Sequence, residues 1–128
     1  MKNRKIFKTL IFSIIAILTL LTLTGCNNNA DSGLISYMDA KEKIINEEAI
    51  LVDVRTEDEY NEEHIDGAVL LTLDNINEES VSDIAEDKNS VLIVYCRSGN
   101  RSSQAANLLE ELGYTEVYDL GAMSYWEE

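Results

Sequence analysis

Proline is absent from this 128-residue chain, histidine and tryptophan occur once each, cysteine twice and glycine six times. Without proline there is no stiff proline-rich linker, and no repeat or low-complexity run offers another boundary. The length holds one domain and no more. Positive charge is the main shortage, with 10 Lys and Arg against 24 Asp and Glu and a formal net charge of −14. A body this acidic argues against nucleic acid as a partner and is repelled by anionic lipid headgroups. The lone histidine, His64, is a poor prospect for a general base, because a packed, hydrogen-bonded histidine is the commoner outcome.

The first 25 residues do not belong to the domain. Lys2, Arg4, Lys5 and Lys8 make a basic start, and Ile11 to Leu23 carries only apolar residues, Ser13 and scattered threonines. This is the layout of a secretory signal. A membrane-spanning helix is the rival reading, since Ile6 to Leu23 approaches the lower length limit for crossing a bilayer. Leu23-Thr24-Gly25-Cys26 separates the two, because it resembles the lipobox of bacterial lipoproteins. That resemblance implies cleavage before Cys26, a diacylglyceryl thioether on its sulfur, and an extracytoplasmic chain anchored to the cell membrane by lipid. The expected organisation is a signal over 1–25, the lipidated Cys26 with a polar tether over 26–33, and a domain over 34–128. Beyond the signal, six basic residues face all 24 acidic ones, a net of −18, so the lipid has to do the anchoring.

If Cys26 carries lipid, Cys96 has no partner in its own chain. An unpaired thiol in a compartment where disulfides are common suggests use rather than burial as an inert core residue.

Ser36-Tyr37-Met38-Asp39 resembles a capping box and predicts a helix to about Glu47, with Met38, Ile44 and Ile45 on its buried side. Ala49 to Val54 is a compact apolar run without alternation, as in a strand buried on both faces. Thr56 to Glu63 reads as a short acidic helix, Ala68 to Leu71 as a second apolar run and Ile76 to Ile84 as a weak helix. Val91 to Tyr95 is the clearest buried strand. Ser102 to Leu112 has apolar residues at helical spacing, Gly113 serves as a C-cap, and Glu116 to Leu120 forms a last strand. Alternating strands and helices predict an α/β fold, a mostly parallel central sheet with helices on both faces. The acidic runs over 57–63 and 77–86 read as solvated helix faces.

The chemistry gathers where the strand ending at Tyr95 meets Cys96-Arg97-Ser98-Gly99-Asn100-Arg101. Parallel sheets place their sites at carboxyl ends of strands, and here the loop feeds a helix N-terminus whose free N–H groups favour negative charge. Gly99 and Asn100 tolerate left-handed backbone, so the loop can curl its N–H groups inward as an anion nest. Arg97 and Arg101 add positive charge. Each effect lowers a thiol pKa and supplies the thiolate, which is the nucleophile.

This loop, continued by Ser102, resembles the active-site loop of single-domain rhodaneses. Three further stretches agree in order: Leu51-Val52-Asp53-Val54-Arg55 with Glu59-Tyr60, His64-Ile65-Asp66-Gly67-Ala68, and Leu112-Gly113-Tyr114 through Val117-Tyr118 and Leu120 to Trp126. The resemblance implies that Cys96 takes a sulfane sulfur as a persulfide and hands it on. The donor would be a small anion such as thiosulfate. The acceptor would be cyanide in the test tube or a thiol in the cell, a protein sulfur acceptor among the possibilities. It implies that N–H groups from Arg97 to Arg101 stabilise the anions, that Arg101 shapes the loop and that Arg97 meets the donor. Asp53 and Arg55 would brace the loop, with no metal or organic cofactor, and a small acidic domain is expected to be monomeric. Glu63 and Ala122 stand where the family often has glycine. Two alternatives stay open: a sulfur carrier or binding module without turnover, and a phosphatase or arsenate reductase on the same fold. The latter group has one more residue between cysteine and arginine than the four found here.

Overall fold

Two apolar runs set the centre of the sheet. The computed structural model describes residues 33–126; the expected signal, Cys26, most of the tether and the last two residues lie outside the described residues. Strand β2 (Ala49–Asp53) pairs in parallel with β4 (Val91–Cys96), in register from Ala49 opposite Val91 to Asp53 opposite Tyr95. On the other side of β4 lies β5 (Glu116–Ala122). The two-residue strands β1 (Gly33–Leu34) and β3 (Val69–Leu70) form the edges, giving the order β1-β5-β4-β2-β3 with every pairing parallel. Gly33 therefore belongs to the sheet, opposite Tyr118, and not to the tether.

Both faces of the sheet are covered, which is why β4 shows no polar alternation. Leu92, Val94 and Cys96 pack into one layer with Val81, Ala105 and Leu109. Ile93 and Tyr95 point the other way, into a layer with Ala40, Ile65 and Tyr118. The β4–β5 register slips between Val94, opposite Asp119, and Tyr95, opposite Gly121, so Leu120 is an inserted residue that bends the strand end.

Helix α1 (Tyr37–Ile45) is capped by Ser36, whose hydroxyl accepts the Asp39 N–H at 3.2 Å. It ends two residues earlier than expected, and its buried side differs from the prediction. Ala40 is fully buried and Ile44 packs beside it, whereas Met38 and Ile45 are 70% and 68% exposed. At roughly 100° per residue, Ala40 and Ile44 share a stripe, while Met38 and Ile45 fall on the opposite one. Helix α2 (Glu57–Glu62) opens with a reciprocal capping box between Thr56 and Glu59. A 3-10 turn (Leu73–Asn75) precedes α3 (Glu78–Ile84), capped by Asn77. Helix α4 spans Asn100–Glu111, two residues earlier at its start than predicted, and Gly113 turns the chain out of it at φ +93°. A closing 3-10 turn (Met123–Trp126) sets the Trp126 ring edge-on to Tyr37, 5.2 Å between centroids.

Candidate active site

Cys96 ends the central strand opposite Ala122, with no solvent exposure. Burial is the very feature that marks inert cysteines, so it does not separate the two roles; the groups around the sulfur do. The chain turns through Arg97 and Ser98, and Gly99, at φ +93°, starts α4 as its N-cap. That left-handed backbone is cheap only for glycine, and it aims the Gly99 N–H at Cys96 Sγ, 3.0 Å away. The Ser102 N–H lies 3.4 Å from the same sulfur. Ser102 itself is fully buried, with its hydroxyl 3.1 Å from the Gly99 carbonyl and directed between that oxygen and the sulfur, so its single proton serves one or the other. Burial pushes the Cys96 thiol up. Hydrogen bonds from the Ser102 N–H and hydroxyl, then from the Ser98 and Gly99 N–H groups, outweigh it and hold the thiol below its ordinary value.

The sequence expectation needs two corrections. Asn100 and Arg101 are helical, not part of a six-residue loop, so the left-handed turn is Gly99's alone. The donors reach past Arg101 to Ser102 and are the main cause of the lowered thiol, with the Arg101 charge acting on the same sulfur. Arg101 spends both terminal nitrogens on Glu59, at 2.6 and 2.9 Å. Glu59 also accepts from the Thr56 N–H and hydroxyl at 3.1 and 3.0 Å. The Arg101 guanidinium, against some burial and aided by Thr56, holds the Glu59 carboxyl well below the usual carboxylate range. Arg97 is 70% exposed, with its Nε 3.6 Å from Glu59, a loose pairing that leaves it open to a ligand.

Glu59 is the residue sequence reasoning missed as part of the site, because it sat inside an acidic run taken for a solvated face. The available signals were the capping-box spacing from Thr56 and the need of Arg101 for an anion.

Asp53 and Arg55 form a separate buried network. Arg55 clasps Asp53 at 2.7–3.1 Å and donates to the Glu63 carbonyl at 2.6 Å. Tyr95 donates to Asp53 at 2.7 Å and accepts the Ile65 N–H at 3.1 Å. The hydrogen bond to Asp53 outweighs burial and raises Arg55 further, while burial first and that carboxylate second push the Tyr95 hydroxyl far up. These bonds fix Tyr95, the neighbour of Cys96, and the 63–65 turn, and Arg55 also borders a hollow that Arg97 of the cysteine loop lines. Glu63 contributes its backbone carbonyl, so its departure from glycine leaves this network intact. His64 is exposed, stacked on Tyr60 with its Nδ1 2.8 Å from the Tyr60 carbonyl. Arg55, Glu63, Arg97, Met123 and Ser124 line a hollow of about 210 Å³ beside the loop. Among the described residues, no group of three His, Cys, Asp or Glu is placed to hold a metal ion.

A thiol held by backbone N–H groups at the carboxyl end of a central parallel strand defines an α/β domain built to keep a sulfur anionic. The family model described as "Rhodanese-like domain" matches residues 36–128. The chain is 38% identical over 72 residues to the thiosulfate sulfurtransferase PspE of Escherichia coli, covering 56% of this chain and 68% of that one. It is 36% identical over 94 residues to the thiosulfate sulfurtransferase GlpE of Coxiella burnetii, covering 73% and 85%. A solved structure described as a rhodanese with anions from E. coli aligns with TM-score 0.57 at 35% identity, over 60% of this chain and 89% of that one. The chain belongs to the rhodanese-like domain family, and these relatives are named as sulfurtransferases.

Proposed function

We propose that this rhodanese-type sulfurtransferase moves a sulfane sulfur through a persulfide on Cys96, while lipid on Cys26 holds it to the outer side of the cell membrane. The observation that carries the sulfur chemistry is the pair of N–H groups, from Gly99 and Ser102, directed at Cys96 Sγ. With thiosulfate as donor, the thiolate attacks the outer sulfur, the S–S bond breaks and its electron pair leaves with sulfite. The terminal sulfur of the resulting persulfide is then attacked by an acceptor, cyanide or a thiolate, and Cys96 departs as the thiolate again. The Cys96 thiolate to which each cycle returns lies within reach of these N–H groups. Arg97, exposed at the rim and only loosely paired, is the group suited to receive an anionic donor.

A phosphatase or arsenate reductase would need its loop arginine for the oxyanion. Arg101 is already spent on Glu59, which favours sulfur. The test is intact mass and thiocyanate formation after incubating the reduced chain with thiosulfate and cyanide, beside Cys96→Ser. One added sulfur on the wild type only, with thiocyanate formed, is the expected result. An added sulfur without turnover would make the protein a carrier. No adduct from thiosulfate or polysulfide would end the sulfur reading. Anchoring is tested separately by the mass of the N-terminal peptide from membranes, with Cys26→Ala releasing the protein.

A further inference from the structure

The apolar residues that the fold leaves outside are gathered on one side. Leu34, Met38, Ile45 and Tyr125 are 87%, 70%, 68% and 56% exposed, while the other two exposed large apolar residues, Val69 and Leu108, reach only 37%. Met38 links Tyr125 and Ile45 into a strip. It lines a hollow of about 440 Å³ with Tyr37 and Tyr125, and a second of about 310 Å³ with Ile45. Leu34 precedes Ile35, which lines the first hollow. The strip therefore runs the length of α1 from the closing 3-10 turn.

Charge singles out the same face. Helix α1 carries Asp39 and Glu42 against Lys41 and Lys43, a net of zero. Helix α2 has three Glu and one Asp and no basic residue, α3 has two Glu and one Asp, and α4 has two Glu against Arg101. Among the described α-helices, α1 alone carries no net negative charge, so an anionic surface repels it least. Its exposed stripe at Met38 and Ile45 is flanked by Lys41 and by Asp39 and Glu42, a mixed rim without net negative excess along the helix. Position agrees. Gly33 starts β1, seven residues after Cys26, so the chain between lipid and strip spans at most about 25 Å. Exposed apolar area of this kind otherwise marks a binding surface.

We propose that this strip, Leu34, Met38, Ile45 and Tyr125, is the face on which the anchored domain rests against the headgroup region of its own membrane. The proposal rests on lipidation of Cys26. It also has a consequence for the site: the 3-10 turn that puts Tyr125 into the strip puts Met123 and Ser124 into the hollow beside Arg97. Seating the strip brings the mouth of the active site near the bilayer surface, where a membrane-borne thiol acceptor could reach it.

Trp126 is the only tryptophan and packs against Tyr37 at one end of the strip, so it reports on this face without a label. The lipidated full-length protein is purified and reconstituted in phosphatidylcholine vesicles containing some phosphatidylglycerol, with a fraction of lipids brominated near the headgroup. Co-flotation and the mass of the N-terminal peptide first establish anchoring; if either fails, it is the anchoring reading that falls. In protein shown to be anchored, the expected result is strong quenching of Trp126. The Met38→Glu/Ile45→Glu variant changes two exposed side chains, so it should keep its circular dichroism and co-flotation while losing most of that quenching. Anchored protein whose Trp126 is unquenched, or quenched equally in the variant, overturns the proposal. Cross-linking through position 38 that rises with the square of surface density would assign the strip to a second copy and overturn it too.

Discussion

Glu59 and Arg101 meet through two parallel contacts of 2.6 and 2.9 Å, joining the first turn of α2 to the first turn of α4 across 42 residues of chain. The capping box with Thr56 fixes the carboxylate from behind, so its position is set by α2 and imposed on the loop. The pair holds in place the peptide groups that hold the sulfur.

Glu59→Gln should therefore cost activity more than its distance from sulfur suggests. Misplacing reacting groups by a fraction of an ångström is expensive, and a loss of about tenfold or more in kcat/KM is expected. Thiocyanate kinetics on the purified variant check it; full activity would mean the loop holds its own shape.

The same carboxyl should leave its mark on acid stability. Its folded-state pKa is depressed, so its contribution is complete above the ordinary 4.5 and is lost as pH falls below that value. The stability gap between wild type and Glu59→Gln should be widest near neutral pH and close on acidification. Urea midpoints measured from pH 7 down to pH 3 would show it.

For Cys96, alkylation or persulfide formation should rise with pH around a midpoint below the ordinary thiol value of 9.0. Ser102→Ala removes the hydroxyl while keeping the N–H, and should move that midpoint upward. An unchanged midpoint would assign the whole effect to the backbone. Because the sulfur has no exposure, bulky maleimides should react far more slowly than small haloacetamides, and urea should abolish the difference.

Tyr95→Phe tests the buried network. It strips one partner from Asp53 and leaves the Ile65 N–H unmatched, which should cost about 1–3 kcal/mol. For a domain of this size that is a Tm loss of very roughly 4–20 °C. Asp53→Ala should be worse, near 3–5 kcal/mol, since Arg55 would be an uncompensated buried charge. Folded Tyr95→Phe should keep its Cys96 pH midpoint, which separates bracing from chemistry.

Gly99→Ala probes strain rather than space. The nearest backbone atom to an added Cβ is 3.6 Å away, an ordinary contact, but φ +93° is disfavoured with a side chain. A stability loss of about 1–2 kcal/mol is expected. Sulfur acceptance should drop further still if the strain relaxes by turning the Gly99 N–H away from Cys96.

What was legible in the chain follows from how local each signal was. Val91 to Tyr95 and Ala49 to Val54 could be read because strands buried on both faces are nearly continuous apolar runs, with Asp53 the one charged exception, paired to Arg55. The cysteine loop could be read because one strand end, one glycine and one helix start lie within seven residues. The partner of Arg101 could not, since an acidic residue on a short helix looks the same solvated or paired until α2 and α4 are placed together. Met38 and Ile45 were misplaced because the five apolar residues of this nine-residue helix fit two opposite stripes, and only contact with the sheet chooses. The depth of Cys96 follows from β4 being the middle strand, which is a matter of topology.

The strand order also says when this sheet can exist. Among the described strands, central β4 has β2 on one side and β5, the latest in sequence, on the other, and edge strand β1 pairs with β5 alone. Until residues 116–122 are in place, the first strand has nothing to bind and the cysteine strand lacks one neighbour. Such long-range closure slows folding. Cys96, opposite Ala122 at the end of β4, therefore lacks one wall of its burial until β5 docks.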